Sequence, residues 1–411
     1  MGETRDLDIA RLGAQGDGIA DTTSGAVFVS YALPGEYVRT DVSGERGRLL
    51  DVLRPSAQRI QPVCQHFSHC GGCALQHMER NAYLAWKRQL VVDAFAARGI
   101  DAPVAPVTGE ELGARRRATF AARRTGRGAI LGFHEARGNE IVDLQECPVT
   151  APEIVQALPG LRTLIEPLLT RRGEARLVVT LATNGIDLAI EGVRSDLSAD
   201  VRERLAREAS ALKLARVSIG TDTLYQVAEP VIRLGTAAVV PPPGAFLQAA
   251  IAAEAEMVRL VTSAMPKAKR IADLFSGLGT FTFPLAASAQ VLAVDGDRQA
   301  IAALEAAIKR SPGLKPIRSK VRDLFREPLS VKELESFNAV VFDPPRAGAA
   351  AQAAMLAKSK IAVIAGVSCN PATLARDART LIDGGYRLDA ITPIDQFLFS
   401  AHIEVVAIFR R

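Results

Sequence analysis

The spacing of hydrophobic residues changes twice along the chain and divides it into three parts. Between residue 5 and about residue 53, runs such as A-V-F-V-S-Y and E-Y-V-R-T-D-V alternate with glycine, aspartate and proline. Short strands separated by such turns are typical of a small β-barrel. The pattern therefore predicts a small β-barrel domain over residues 1–55.

The second part mixes helical and strand patterns. Apolar residues recur at helical spacing from residue 76 to residue 98, and the pattern ends at Gly99. Further on, the runs A-R-L-V-V-T-L-A-T and G-I-D-L-A-I-E-G-V predict strands, and residues 197–210 predict a helix. Residues 56–240 are therefore predicted to form a central α+β domain.

The third part begins at the linker Pro241-Pro242-Pro243-Gly244. After it, helix and strand signals alternate to the end of the chain. That alternation predicts an α/β domain with a mostly parallel, Rossmann-like sheet over residues 241–411.

Composition narrows the class of protein only slightly. The chain has 411 residues, 48% of them hydrophobic, which allows two to three domains with real cores. We expect a cytoplasmic protein without a membrane partner, because no apolar stretch approaches ~20 residues and the opening M-G-E-T-R-D has no apolar signal core. A net charge of +5 slightly favours an anionic partner.

Three of the five cysteines cluster at Cys64, Cys70 and Cys73, and Cys147-Pro148 offers a distant fourth ligand. In a reducing compartment this pattern favours a metal over disulfides. Four thiolates suit either an iron–sulfur cluster or structural zinc, and the spacing alone leaves both open. It differs from the C-x3-C-x2-C of radical enzymes, so we interpret the centre as structural or RNA-organising.

A candidate cofactor site begins at R-I-A-D-L-F-S-G-L-G-T-F, which reads as a strand followed by a glycine turn. Gly277 and Gly279 permit close backbone approach. The next strand ends in Asp295, where doubly wound folds place a carboxylate on a ribose diol. The turn lacks the full G-x-G-x-x-G of pyrophosphate sites, so S-adenosylmethionine fits better than NAD.

Two further acids and a thiol follow predicted strands. Asp323 ends K-V-R-D, Asp343 ends A-V-V-F-D, and Cys369 ends the apolar run I-A-V-I-A-G-V-S-C, which Asn370-Pro371 stops. Open α/β folds carry their chemistry at the carboxyl edge of the sheet. Cys369 is therefore a candidate nucleophile beside a cofactor site.

Together these segments resemble the S-adenosylmethionine-dependent RNA 5-methyluridine (m5U) methyltransferase family. The resemblance runs from the barrel-like start through D-L-F-S-G-L-G-T-F, D-P-P-R-A-G and V-S-C-N-P-A-T-L-A-R-D to a terminal H-I-E. It implies a TRAM domain, which is an OB-like RNA-binding barrel, a central [4Fe-4S] domain and a class I methyltransferase domain. RNA would be the partner, with no role for DNA.

Carried over motif by motif, the resemblance implies three sets of site residues. The cluster ligands would be Cys64, Cys70, Cys73 and Cys147. The cofactor contacts would be Gln248, Phe275, Thr280, Asp295, Asp323 and Asp343. Cys369 would be the nucleophile and Glu404 the base. Thr280 and Asp295 replace an asparagine and a glutamate that are common in the family, but both keep polar side chains.

The chemistry accounts for these residue types. Uracil C5 is too poor a nucleophile to take a methyl group directly. Addition of a thiolate at C6 gives an enolate with carbanion character at C5, and a base must later remove the C5 proton so that the thiolate can leave. Burial is expected to raise the pKa of Glu404 toward neutrality.

The expected substrate is an unstacked uridine of large-subunit (23S) ribosomal RNA, since the barrel with four cysteines is the family arrangement for ribosomal RNA. Transfer RNA is the alternative within the family. Amino methylation is a second alternative, because D-P-P-R resembles the N/D-P-P-Y motif, although it leaves Cys369 and Glu404 without a role. A non-catalytic RNA-binding assembly factor is a third.

An arginine-rich segment precedes the middle of the central part. Its density of positive charge suits contact with RNA phosphates. The segment comprises Arg115, Arg116, Arg117, Arg123, Arg124 and Arg127.

Overall fold

A computed structural model describes residues 2–411; Met1, the first residue of the predicted β-domain, lies outside the described residues. The N-terminal strands are β1 (Glu3–Asp8), β2 (Arg11–Leu12), β3 (Gly18–Thr22), β4 (Gly25–Val29), β5 (Tyr37–Ser43) and β6 (Arg46–Arg54). They form one sheet in the order β1-β5-β6-β4-β3-β2. The two edge strands, β1 and β2, are separated by only two residues in the chain, so the two edges of the sheet lie close together. The sheet therefore curls around a small apolar core.

Residues 55–79 connect this sheet to α1 (Arg80–Ala96) and carry three of the cysteines. The Glu79 carboxylate caps the helix by accepting the N–H of Ala82 at 3.0 Å. The predicted helix is confirmed with shorter bounds. A two-residue strand, β7 (Thr108–Gly109), follows.

The central sheet has the strand order β10-β9-β8-β11-β12-β13-β14. Its strands are β8 (Arg117–Thr125), β9 (Gly128–His134), β10 (Ile141–Asp143), β11 (Glu174–Ala182), β12 (Gly185–Glu191), β13 (Leu214–Ile219) and β14 (Asp222–Gln226); its helices are α2 (Pro152–Ile165) and α3 (Ala199–Ala211), with a 3-10 turn at Glu166–Leu168. Both helices pack into the same core as the sheet, which buries their apolar faces. The two strands and the helix predicted in this part are confirmed.

After the hairpin β15 (Ile232–Leu234) and β16 (Ala237–Val239), the chain enters the third part. Its helices are α4 (Ile251–Ala264), α5 (Thr282–Ala286), α6 (Arg298–Lys309), α7 (Val331–Leu334), α8 (Ala350–Ala357) and α9 (Pro371–Asp383). Its strands are β17 (Arg270–Leu274), β18 (Gln290–Asp295), β19 (Ile317–Val321), β20 (Ala339–Phe342), β21 (Val363–Ser368), β22 (Arg387–Asp395) and β23 (Glu404–Arg410).

These strands and β7 form an eight-stranded sheet in the order β19-β18-β17-β20-β21-β23-β22-β7. Neighbouring strands from β19 to β21 are parallel, and β23 runs antiparallel to both of its neighbours. Separate apolar cores cover the two faces, as a parallel sheet requires. The predicted α/β domain with a mostly parallel sheet is confirmed.

Two features of this sheet determine where the candidate site lies and which segments surround it. The strand order reverses between β17 and β20, and ligands of open α/β sheets bind beyond the carboxyl ends of the strands at such a point. Helix α1 also packs here, with Val91 and Phe95 buried in one of the two cores, and β7 pairs with β22. The range 56–240 therefore contributes to both large sheets. None of the described helices has the length and apolarity needed to cross a bilayer.

Candidate active site

The turn between β17 and α5 forms one wall of the candidate cofactor site. Its backbone has positive φ at Phe275 (60°), Gly277 (51°) and Gly279 (99°). A Cβ atom at position 279 would lie 2.7 Å from the ring of Phe283. Glycine is therefore needed there both for its φ and for close packing, and the predicted strand and glycine turn are confirmed.

Asp295, the last residue of β18, is hydrogen-bonded to this turn. Its Oδ2 accepts the N–H of Gly277 at 2.8 Å, and its Oδ1 accepts the N–H of Asp297 at 2.7 Å. Each carboxylate oxygen keeps a further lone pair, so Asp295 is able to fix the turn and still accept hydrogen bonds from a ribose. Asp323 lies beyond β19, half-exposed, and accepts the N–H of Phe325 at 3.0 Å. Thr280 is half-buried in the turn.

Asp273 in β17 is a polar residue that the sequence analysis missed as a candidate. Its carboxyl is fully buried, and its Oδ2 accepts the hydroxyl of Thr282 at 2.5 Å. Within residues 2–411, Asp273 Oδ1 and Ser276 Oγ are buried without a hydrogen-bond partner. Burial raises the pKa of Asp273 to about 7. Unpaired polar atoms beside a glycine turn fit a polar cofactor such as S-adenosylmethionine. The sequence signal that could have identified Asp273 is an acidic residue inside an otherwise apolar strand.

Four side chains form a hydrogen-bonded row at the carboxyl edge of the sheet. Gln248 Nε2 donates to Asp343 Oδ2 at 3.1 Å. Gln396 Nε2 donates to Gln248 Oε1 at 2.8 Å and to Glu404 Oε2 at 2.7 Å. The two glutamines and Glu404 are buried, and Asp343 is partly exposed. Two amides in series thus connect two carboxyl groups, and Gln396 is the member that the sequence analysis missed.

The row holds both carboxyl groups in an environment that favours their protonated form. Burial raises the pKa of Asp343 and of Glu404, and the charge of Asp343 raises the pKa of Glu404 further. The hydrogen bonds from Gln248 and Gln396 act in the opposite direction but are outweighed. Around neutral pH the pair therefore retains a proton, as the sequence analysis expected for Glu404.

Cys369 follows β21 directly and is partly buried at the same edge. Burial raises the pKa of its thiol to about 11; the charges of Glu404 and Asp343 raise it as well, whereas Arg346 lowers it. The thiol is therefore neutral at neutral pH, and thiolate formation needs either an added positive charge or a neutralised carboxylate. Asn370 caps α9 by accepting the N–H of Ala372 at 3.1 Å, which fixes where the strand ends.

A buried ion pair anchors the loop between β22 and β23. Lys87 Nζ donates to Asp395 Oδ1 at 2.5 Å, and the hydroxyl of Tyr83 donates to Asp395 Oδ2 at 2.6 Å. Both charged side chains are fully buried, so each needs the other to offset the loss of hydration. Because Gln396 follows Asp395 directly, helix α1 fixes the start of the loop that leads to Glu404.

The four clustered cysteines line one cavity of about 180 Å³, next to Arg115. The same segment is hydrogen-bonded to the active-site loop, because Phe399 O accepts the N–H groups of Ala74 and Leu75 at 2.8 and 3.1 Å. All five thiols are free. In the part of the chain that the structure describes, no three His, Cys, Asp or Glu side chains are placed so that they could hold a metal ion.

The arginine-rich segment contains both internal and exposed side chains. Arg116 is buried and donates to Glu254 Oε2 at 2.6 Å, and Arg117 donates to the carbonyl groups of Gly244 and Ala245. The prediction of phosphate contact is therefore wrong for these two, because their charge holds the central sheet against the third part. Arg124 and Arg127 are exposed, and for them it stays a prediction.

The parallel sheet with its reversal point, the glycine turn and the strand-end acids define an S-adenosylmethionine-dependent methyltransferase domain. The sequence model of the tRNA (uracil-5-)-methyltransferase family matches residues 239–411. An uncharacterized RNA methyltransferase of Caulobacter vibrioides is 47% identical over 99% of this chain and 100% of its own length. The chain belongs to the RNA (uracil-5-)-methyltransferase family and is an RNA methyltransferase.

Two further relatives carry more specific names. The 23S rRNA (uracil(1939)-C(5))-methyltransferase RlmD of Vibrio parahaemolyticus is 32% identical over 98% of this chain and 95% of its own. The structure of the Pyrococcus abyssi tRNA (uracil-54, C5)-methyltransferase in complex with S-adenosyl-L-homocysteine is similar at a TM-score of 0.76, with 25% identity over 98% of this chain and 99% of that chain. A transfer-RNA enzyme thus shares the overall architecture, so architecture does not separate the two substrate classes.

Proposed function

We propose that this chain makes 5-methyluridine in large-subunit ribosomal RNA, with Cys369 as the nucleophile and Glu404 as the base. The observation that carries the proposal is the meeting of a thiol and two carboxyl groups at one edge of the sheet, although they belong to three different strand ends. The edge adjoins the turn where Asp273 and Ser276 keep unpaired polar atoms. Nucleophile, base and cofactor site are therefore contiguous.

The residues divide the chemistry as follows. The sulfur of Cys369 adds to uracil C6, and the electron pair of the C5–C6 bond becomes available at C5. Bound S-adenosylmethionine supplies the electrophilic methyl group. Glu404 then takes the proton from C5, the double bond re-forms and the thiolate leaves. The proposed cofactor contacts are Gln248, Phe275, Thr280, Asp295, Asp323 and Asp343.

Other parts of the chain receive proposed roles as well. We infer that residues 1–55 form a TRAM domain that binds RNA, that residues 56–240 form the domain of the cysteine centre, and that residues 241–411 form the catalytic domain. The N-terminal sheet curls so that its edge strands β1 and β2 come close together, and this barrel-like shape supports the proposed TRAM domain. Ribosomal RNA as the substrate is supported by the Vibrio relative named for 23S rRNA, which is 32% identical over 98% of this chain.

The substrate proposal is tested with RNA that contains 5-fluorouridine. Fluorine at C5 is not removable as a proton, so the thiol mechanism should stall as a protein–RNA adduct that survives denaturing electrophoresis. We expect an adduct with 23S ribosomal RNA transcripts in the presence of S-adenosylmethionine, and none with transfer RNA transcripts of the same cell. Sequencing of the trapped RNA locates the uridine.

Each other result of that experiment has a defined meaning. An adduct with transfer RNA alone would replace the proposed substrate. The absence of any adduct, when RNA and cofactor both bind, would contradict the thiol mechanism. Methyl transfer without an adduct would then indicate amino methylation through the D-P-P-R segment, and no transfer would indicate a binding-only role.

We also propose that Cys64, Cys70, Cys73 and Cys147 hold a [4Fe-4S] cluster. They line one cavity, which suits a cubane whose four irons each take one thiolate. The resemblance to the 5-methyluridine methyltransferase family is the reason for proposing a cluster instead of zinc, which the same four thiolates would also suit.

The cluster proposal predicts that protein purified without oxygen is brown and contains about four irons per chain. Cys147→Ser should lower the iron content, because it removes the one ligand outside the 64–73 segment. Stoichiometric zinc in place of iron, in protein that still binds S-adenosylmethionine, would contradict the proposal.

A further inference from the structure

Gln396 is the residue that joins the candidate base to the remainder of the site, and it is buried in the first position after β22. Its side chain uses all of its hydrogen-bonding groups. Both N–H groups donate, one to Gln248 Oε1 and one to Glu404 Oε2, and its Oε1 accepts the N–H of Ala249 at 2.8 Å. The amide therefore has no freedom to form other contacts.

These three contacts also determine which way the amide points. If oxygen and nitrogen were exchanged, Oε1 would face the oxygens of both Gln248 and Glu404, and Nε2 would face the N–H of Ala249. That orientation replaces three hydrogen bonds with three repulsive contacts. Gln396 therefore always presents an N–H group to Glu404.

An N–H group directed at a carboxyl stabilises the ionised form and does little for the protonated one. Burial and the charge of Asp343 oppose ionisation of Glu404. Gln248 donates a hydrogen bond to Asp343 through its Nε2 and accepts one from Gln396 through its Oε1. Gln396 is therefore placed to offset the two effects that would keep the base protonated.

We propose that Gln396 is a positioning residue, which holds the Glu404 carboxyl in place and keeps enough of it ionised to accept the C5 proton. The inference rests on the proposed function of Glu404. It concerns the release of the product from Cys369, since that step needs the ionised base. Formation of the adduct does not need it.

The charged and titratable groups around Glu404 come from several elements, and each remains in place when Gln396 is changed. They are Asp343 and Arg346 after β20, Cys369 after β21, His402 in the loop, the Lys87–Asp395 pair and the Arg116–Glu254 pair beside Gln248. Of these, Asp343 acts on Glu404 most directly. A change in the pH dependence of the Gln396 variants is then attributable to the hydrogen bonds that Gln396 makes to Glu404 and Gln248.

The test is the pH dependence of adduct decay in Gln396→Met, which keeps the length of the side chain and removes its hydrogen bonds. Single-turnover reactions with natural uridine RNA are quenched in denaturant, and the decay rate of the adduct is measured across the neutral and alkaline range. We expect the apparent pKa of decay to rise by about one unit, which lowers the rate about tenfold at neutral pH and restores it at alkaline pH. Because Gln396 also holds Gln248, a proposed cofactor contact, the reactions are run at saturating S-adenosylmethionine and the affinity for it is measured separately.

Gln352→Met is the matched control, because Gln352 is also fully buried and bonded on both sides, through Leu329 N–H and C=O. It should lose stability without a shift in the pH profile. Gln396→Asn is a second variant, too short to reach both partners, and should shift the profile in the same direction if the Met variant fails to fold.

An unchanged apparent pKa in both Gln396 variants, or a rate loss that is equal at every pH, would overturn the proposal. Both results differ from failure of the proposed function. If the wild-type protein forms no adduct with 5-fluorouridine RNA, the role of Cys369 fails. If it does form one, and Glu404→Gln accumulates an adduct with natural uridine, only the role of Gln396 is in question.

Discussion

Cys369→Ala should abolish methyl transfer and remove the covalent adduct, while S-adenosylmethionine still binds. Without the sulfur, nothing at this edge of the sheet adds to C6, and C5 stays too weak a nucleophile. We expect the single-turnover rate to fall by more than about a hundredfold. The measurement is transfer of a labelled methyl group to RNA, with cofactor affinity and thermal unfolding measured on the same preparation.

Retention of more than about a hundredth of the wild-type rate would exclude Cys369 as the nucleophile, because the loss of a covalent step costs far more. Cys369→Ser is a useful companion variant. It keeps a hydroxyl of similar size, but the hydroxyl is a much poorer nucleophile than a thiolate. It should behave like the alanine variant, and a denaturant-stable adduct formed by it would mean that a nucleophile other than the Cys369 sulfur adds to C6.

Because the pKa of the Cys369 thiol is raised, the nucleophilic thiolate forms only when its surroundings change. At about 11, it leaves little thiolate in the unliganded protein at neutral pH. Glu404 and Asp343 contribute to that rise, so protonation of either one, or arrival of a positively charged ligand, would lower the pKa. Thiolate formation is therefore expected to follow cofactor binding.

Glu404→Gln should allow addition and methylation but block release, so that a protein–RNA adduct accumulates with natural uridine. Glutamine occupies the same space and keeps a hydrogen bond within reach of Gln396, yet it does not take up a proton at these pH values. The fraction of enzyme trapped as a denaturant-stable adduct should rise from near zero to near stoichiometric. Denaturing electrophoresis with labelled RNA measures it.

A suitable control is Glu36→Gln, since Glu36 is another fully buried glutamate, paired with Arg59 in the N-terminal part. Any adduct that this control forms should resolve at the wild-type rate. If Glu404→Gln turned over without accumulation of an adduct, another group would have to remove the C5 proton. His402, two residues away, would then be the next candidate.

The sequence alone determined the parts of the site that depend on local pattern. Strand ends at Asp295, Asp343 and Cys369 were predicted correctly because a run of apolar residues followed by a polar residue or proline marks the end of a buried strand. The glycine turn was predictable for the same reason, since only glycine tolerates its backbone and packing at position 279.

Partners across the fold were decided by the tertiary structure. Gln396 is hydrogen-bonded to Glu404, 8 residues away in the chain, and to Gln248, 148 residues away. Lys87 pairs with Asp395, which is 308 residues away. Arg116 and Arg117, which the sequence alone placed on an RNA surface, form internal contacts instead. Periodicity reports whether a residue is buried and on which face of its own element it lies. It does not report which distant residue packs against that face, so the sequence determined the chemical groups and the tertiary structure determined which of them act together.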